Sequence, residues 1–177
     1  GQTADAGGLF SLSPAKVYYS TIANNSVQMN AGTIGSGPYV AIGGGLSVKY
    51  GANLLASTIS GNRVACPGAN LSSLNAFCLA GGVIDAYSPS TDGAVLSIAY
   101  STVSGNHSDF LGGGVVSKYE LNMTQSTISG NSALGGGGLV QKYFSGGSAT
   151  VYNSTVAANI ATYVGGGIFS YTSGPIT

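Results

Sequence analysis

The six residues Ser57-Thr58-Ile59-Ser60-Gly61-Asn62 recur letter for letter at residues 126–131, with looser copies at 20–25, 101–106 and 154–159. A second motif interleaves with this one: a glycine run followed by an aliphatic residue, which is Leu9, Leu46, Val83, Val115, Leu139 and Ile168 in turn. From the last glycine of a run to the next Ser-Thr pair the separation is 12, 12, 19, 12 and 16 residues. From that serine to the last glycine of the next run it is 25, 25, 13, 12 and 13. The shortest full cycle is therefore 24 or 25 residues. Two cycles carry extra residues, around 28–39 and 63–77. Self-similarity at a period of about 20–50 residues marks a solenoid or a propeller.

Inside each cycle the hydrophobic period is two. Five and three residues before each Ser-Thr pair stand Ala15/Val17, Ala52/Leu54, Leu96/Ile98, Leu121/Met123 and Ala149/Val151. The residue between them is Lys16, Asn53, Ser97, Asn122 or Thr150. This alternation is that of a short strand with one face buried. The aliphatic residue of the six-residue motif and the one after the glycines supply two more inward anchors. Three inward strands in about 24 residues fit one coil of a parallel β-helix, whereas a propeller blade needs four strands over about 40 residues. The expected fold is all-β: a right-handed parallel β-helix of about six coils with two inserted loops, and residues 1–177 form a single β-helix segment.

The repeated asparagines, Asn25, Asn62, Asn106, Asn131 and Asn159, follow the inward aliphatic residue where the chain must turn. Asparagine tolerates left-handed backbone at such a corner. Stacked in register, its amide can bond the same amide one coil along. The glycines suit a second corner, where a Cβ would crowd the next coil.

Glycine pairs before an aliphatic residue, together with the aliphatic-x-x-Asn element, resemble the repeats of right-handed parallel β-helix surface proteins. The similarity is to bacterial polymorphic outer membrane proteins and autotransporter-type adhesins. It extends over nearly the whole chain. The resemblance implies an extracellular or bacterial cell-surface location and an adhesive or structural role. In repeat phase, residue 1 falls near an asparagine corner and Ile176 falls three before a missing Ser-Thr pair. Both ends then cut the solenoid mid-coil. The expectation is a piece of a longer solenoid, or coils that stack end to end between copies of the chain.

Composition narrows the partners. Charged residues are 6% of the chain and the formal net charge is zero, which argues against nucleic acid, since that needs clustered cations. No apolar run is long enough for a transmembrane helix. Cys66 and Cys78, twelve positions apart without a nearby histidine, read as a local disulfide of an oxidising compartment rather than a zinc site. No metal and no cofactor are expected.

Parallel β-helices can also host polysaccharide lyases and glycosidases, and glycoside hydrolysis needs paired carboxylates. The acids are Asp5, Asp85, Asp92, Asp109 and Glu120, and repeat phase leaves Asp85 and Glu120 on different coils. His107 and Asp109, just past a corner, read as solvated loop residues. Arg63 falls in an inserted loop. No nucleophile or paired acid stands out, and the chain is expected not to be an enzyme.

One column is regular and chemically distinctive. Lys49-Tyr50, Lys118-Tyr119 and Lys142-Tyr143 share one phase after the glycines, with Tyr87 in phase between them. Stacked tyrosines beside cations suit sugar rings or a protein surface. A cross-strand ladder that stabilises the sheet is the other reading. The functional expectation is a rigid extracellular rod, structural or adhesive, that meets copies of itself or a host or cell-surface protein or glycan. The alternative is a carbohydrate-binding or carbohydrate-active β-helix.

Overall fold

The computed structural model describes residues 2–29, 39–67, 76–85, 94–141, 148–170 and 176–177. All described regular structure is β. The strands form five parallel sheets in which each strand pairs with its counterpart one coil along. The first sheet follows the glycine runs: Leu9–Ser11, Leu46–Val48, Val83–Asp85, Val115–Ser117, Leu139–Gln141 and Ile168–Ser170. The second holds the alternating segments: Ala15–Tyr18, Ala52–Leu55, Val95–Ala99, Glu120–Thr124 and Ala149–Tyr152. The third is the heart of the six-residue motif: Thr21–Ala23, Thr58–Ser60, Thr102–Ser104, Thr127–Ser129 and Thr155–Ala157. The fourth follows the asparagines: Ser26–Gln28, Arg63–Ala65, His107–Ser108, Ser132–Gly135 and Ile160–Val164. The fifth, Gln2–Asp5, Tyr39–Ile42 and Ala76–Leu79, precedes the glycines and continues through single bridges at Leu111 and Gly135.

This is a parallel β-helix, as the repeat predicts, with more strands per coil than the three inward anchors suggested. The segments on either side of the glycine corner also pair. Tyr39 and Arg63–Ala65 therefore belong to strands, which narrows both expected insertions to the stretches between them and their partners. Arg63 is a strand residue and not part of a loop. Its sheet neighbours in register are Ser26 and His107. Ile176 pairs with Ala149, the position five before the Ser-Thr pair. The expected phase at the C-terminal residues was thus two residues off.

The core follows from register. Because side chains alternate along a strand, in-register pairing stacks like on like and produces continuous inward columns. Val103 sits between Ile59 and Ile128, and Leu96 between Ala52 and Leu121. All except Ala52 are fully buried, and Ala52 is nearly so; all six belong to one cluster that runs through the coils. Each fully buried Leu, Ile or Val contributes about 1.5–3 kcal/mol by leaving water. A second cluster packs Val27, Val64 and Ala41 around the Cys66–Cys78 disulfide.

Three corners per coil require left-handed backbone. One lies before the Ser-Thr pair (Tyr19, Ala56, Tyr100, Gln125, Asn153), one before the repeated asparagine (Asn24, Gly61, Gly105, Gly130, Ala158), and one at the glycine run (Ala6, Gly43, Ala80, Gly112, Gly136, Gly165). The repeated asparagine itself does not hold the left-handed angle; the residue before it does. That frees the asparagine side chain for another task.

Candidate functional site

The repeated asparagines and serines bond along the solenoid axis, whereas the repeated threonines stay on the outer face, Thr21 and Thr155 being exposed. Asn106 donates both its backbone N–H and Nδ2 to Oδ1 of Asn131, each at 2.9 Å. Asn131 does the same to Asn159, at 3.0 and 2.9 Å. Asn62 does so to Asn106, and Asn25 to Asn62. The second Nδ2 hydrogen goes the other way, to a backbone carbonyl of the preceding coil, as from Asn131 to Val103. Asn62, Asn106 and Asn131 are all but fully buried. Every side-chain donor of Asn62, Asn106 and Asn131 is therefore used within the fold.

A parallel ladder, not anticipated above, is built by the serine of the motif. The N–H groups of Ser20, Ser57, Ser101 and Ser126 each donate to Oγ of the next serine, at 3.0–3.1 Å. The invariance of that serine across all five copies was the available signal. The glycine columns are equally internal. A Cβ on Gly44 would lie 2.4 Å from the carbonyl oxygen of Gly81, and one on Gly114 would lie 2.9 Å from Nδ2 of Asn131. The two sequence motifs are thus two halves of one packing arrangement.

The Lys-Tyr column is only partly within the described residues; Tyr87, Lys142 and Tyr143 lie outside them. Tyr50 and Tyr119 are half-buried. They follow strands separated by Val83–Asp85, so they do not stack on each other. Lys49 places Nζ 5.6 Å from the centre of the Phe10 ring, within cation–π range. Lys118 exerts an attractive charge effect on Asp85.

Asp85 itself points inward. It stacks between Val48 and Ser117 and is fully buried. Oδ1 accepts a bond from the Gly51 N–H at 3.3 Å, and Oδ2 has no hydrogen-bond partner among the described residues. Burial raises its pKa from 3.8 to about 6, against smaller lowering effects from the Gly51 bond and Lys118. Asp85 ends a strand of the first sheet, whereas Asp109 lies in the bend after His107–Ser108 and bonds to Arg63 and His107.

His107 departs from the expectation of a loop residue, while Asp109 lies in the bend just after its strand, bonded rather than simply solvated. His107 lies in a strand between Arg63 and Ser132, in register with both. Its Nε2 is 2.9 Å from Asp109 Oδ1, and Arg63 Nη2 meets the same oxygen at 2.9 Å. Among the described residues no three His, Cys, Asp or Glu side chains gather as a metal site.

Fold and ladders together define the class: a parallel β-helix stapled by a buried disulfide. No protein-family model matches the chain, no curated protein is similar to it, and no solved structure matches it.

Proposed function

We infer that this chain is an extracellular structural or adhesive β-helix segment, a stiff rod whose non-repeated side chains meet its partners. The observation that carries this reading is the use of the repeated asparagine and serine side chains inside the fold. Five asparagines and five serines form axial ladders, so the repeat specifies a scaffold and leaves recognition to residues that vary between coils. The buried Cys66–Cys78 disulfide suits an oxidising, extracellular setting. Partners of this reading are a protein or glycan at a cell surface, met at the Lys-Tyr face, or further copies of the chain.

The test combines shape and binding. Electron micrographs of the purified chain should show stiff rods or filaments. Binding to cell-surface glycans or proteins should fall in a Lys49/Tyr50/Lys118/Tyr119→Ala variant with unchanged melting. A compact particle without surface binding, or binding unaffected by that variant, would overturn the reading.

A further inference from the structure

Ser132 completes a hydrogen-bonded chain on the outer face of the fourth sheet. Its Oγ lies 2.8 Å from Nδ1 of His107. Nε2 of the same ring lies 2.9 Å from Asp109 Oδ1. A carboxylate only accepts, so Nε2 carries a proton, and in the neutral ring Nδ1 accepts from the serine hydroxyl. Asp109 is held in turn: Arg63 Nη2 donates to Oδ1, and the Cys66 backbone N–H donates to Oδ2 at 2.9 Å. A nucleophile bonded to a base that a third group orients is the arrangement that activates a serine.

The three residues open onto a cavity of about 430 Å³ whose apolar wall includes Pro67, Leu134 and Ile160. Beside it the ladder is interrupted. Ala133 pairs with Ala161 but Gly135 pairs with Val164, so Leu134 faces both Thr162 and Tyr163 across a bulge. A bulge leaves a residue's backbone polar groups outside the ladder. At a cavity wall such groups are the kind of donor that an oxyanion requires.

We propose that Ser132, His107 and Asp109 form a hydrolytic site for short-chain acyl esters, with Ser132 as nucleophile, His107 as base and Asp109 as positioning residue. Ser132 Oγ adds to the ester carbonyl carbon while its proton passes to Nδ1 of His107. The carbon–oxygen bond to the alcohol breaks, the leaving oxygen takes that proton, and the acyl group remains on Ser132. Water then adds to the acyl carbon and gives a proton to Nδ1. The Ser132–acyl bond breaks, Oγ recovers the proton, and the carboxylic acid departs. Throughout, the Nε2–H bond to Asp109 holds the ring in place.

The site can be tested on the whole chain with a fluorophosphonate probe, peptide mapping and p-nitrophenyl acetate hydrolysis. Variants here should keep the fold, because in-register neighbours in this outward column are as different as Ser26, Arg63, His107, Ser132 and Ile160; thermal melts check this. Ser132 should label at least about tenfold faster than any other serine, and Ser132→Ala should abolish both labelling and hydrolysis. His107→Gln should slow both by about 100-fold or more, the usual cost of losing a general base. Asp109→Asn should lower kcat with little change in KM. Labelling spread evenly over the serines, no labelling at all, or hydrolysis that persists in Ser132→Ala would overturn the proposal.

Discussion

A Cβ placed on Gly114 would stand 2.9 Å from the Nδ2 atom of Asn131 and 2.6 Å from the carbonyl oxygen of Gly138. The asparagine ladder therefore fits only because the facing column is glycine. The two motifs lie 17 positions apart in the chain, yet each limits the other.

Breaking the ladder should be costly. Asn131→Ala removes the acceptor of two Asn106 donors and the donor to Val103 and Asn159. With buried unsatisfied groups costing about 1–3 kcal/mol each, the loss should be about 3 kcal/mol or more. Asn131→Asp should be worse at pH 7, because a buried carboxylate would face the Val103 and Asn159 oxygens. It should recover partly in acid, as protonation restores one donor. Urea denaturation at pH 4 and pH 7 measures both effects. Equal losses for Ala and Asp at both values would show that the ladder geometry does not govern stability.

Glycines in this chain serve two purposes that substitution separates. Gly105 has φ +63°, and a Cβ there would meet nothing nearer than 3.9 Å. The homologous corner at Ala158 already holds alanine at positive φ. Gly105→Ala should cost only the left-handed backbone penalty, about 1–2 kcal/mol. Gly114 has no positive φ to explain it, but its Cβ would collide with backbone of the next coil. Gly114→Ala should cost clearly more, about 3 kcal/mol or above, because two backbones must separate. Thermal melts of the two variants side by side check the order.

Asp85 makes stability depend on pH. Its carboxyl holds a proton more tightly in the folded chain, with a pKa of about 6 against an ordinary 3.8. Below pH 3.8 both states are protonated and there is no penalty. Between 3.8 and about 6 the unfolded chain ionises first, so stability falls as pH rises. Above that window the full cost applies, about 3 kcal/mol for a shift of roughly two pH units. Asp85→Asn should therefore stabilise the chain at pH 8 and change little at pH 4. A constant difference across that range in urea titrations would refute the assignment.

The Cys66–Cys78 bridge closes a segment with a sequence separation of 12 and packs against Val27, Val64 and Ala41. Cross-links over loops of this length stabilise by about 3 kcal/mol, chiefly through the unfolded chain. Cys78 is fully buried and Cys66 nearly so. A reductant should act slowly on the native chain and fast in urea. Thiol trapping with mass readout gives both rates, and the reduced chain should melt lower.

The sequence by itself determined the coil. Its period, the inward column of Leu54, Ile98 and Met123, and the need for glycine at one corner all follow from spacing of 24 or 25 residues and an alternation of two. Local rules suffice there because each coil repeats the same contacts with its neighbour. The division of labour at the asparagine corner was not legible. Only the backbone angles show that Gly61, Gly105 or Gly130 takes the left-handed turn while the asparagine bonds along the axis. The His107 cluster was hidden for a different reason. Arg63, His107 and Ser132 stand 44 and 25 positions apart; each directly follows a repeated asparagine, so the phase aligns them, but the residue type at that position changes from coil to coil. That Asp109 turns back onto His107 and Arg63 appears only when the strands stack in register. Spacing in the chain encodes the repeated contact, whereas a contact among residues that differ between coils exists only once the coils are stacked.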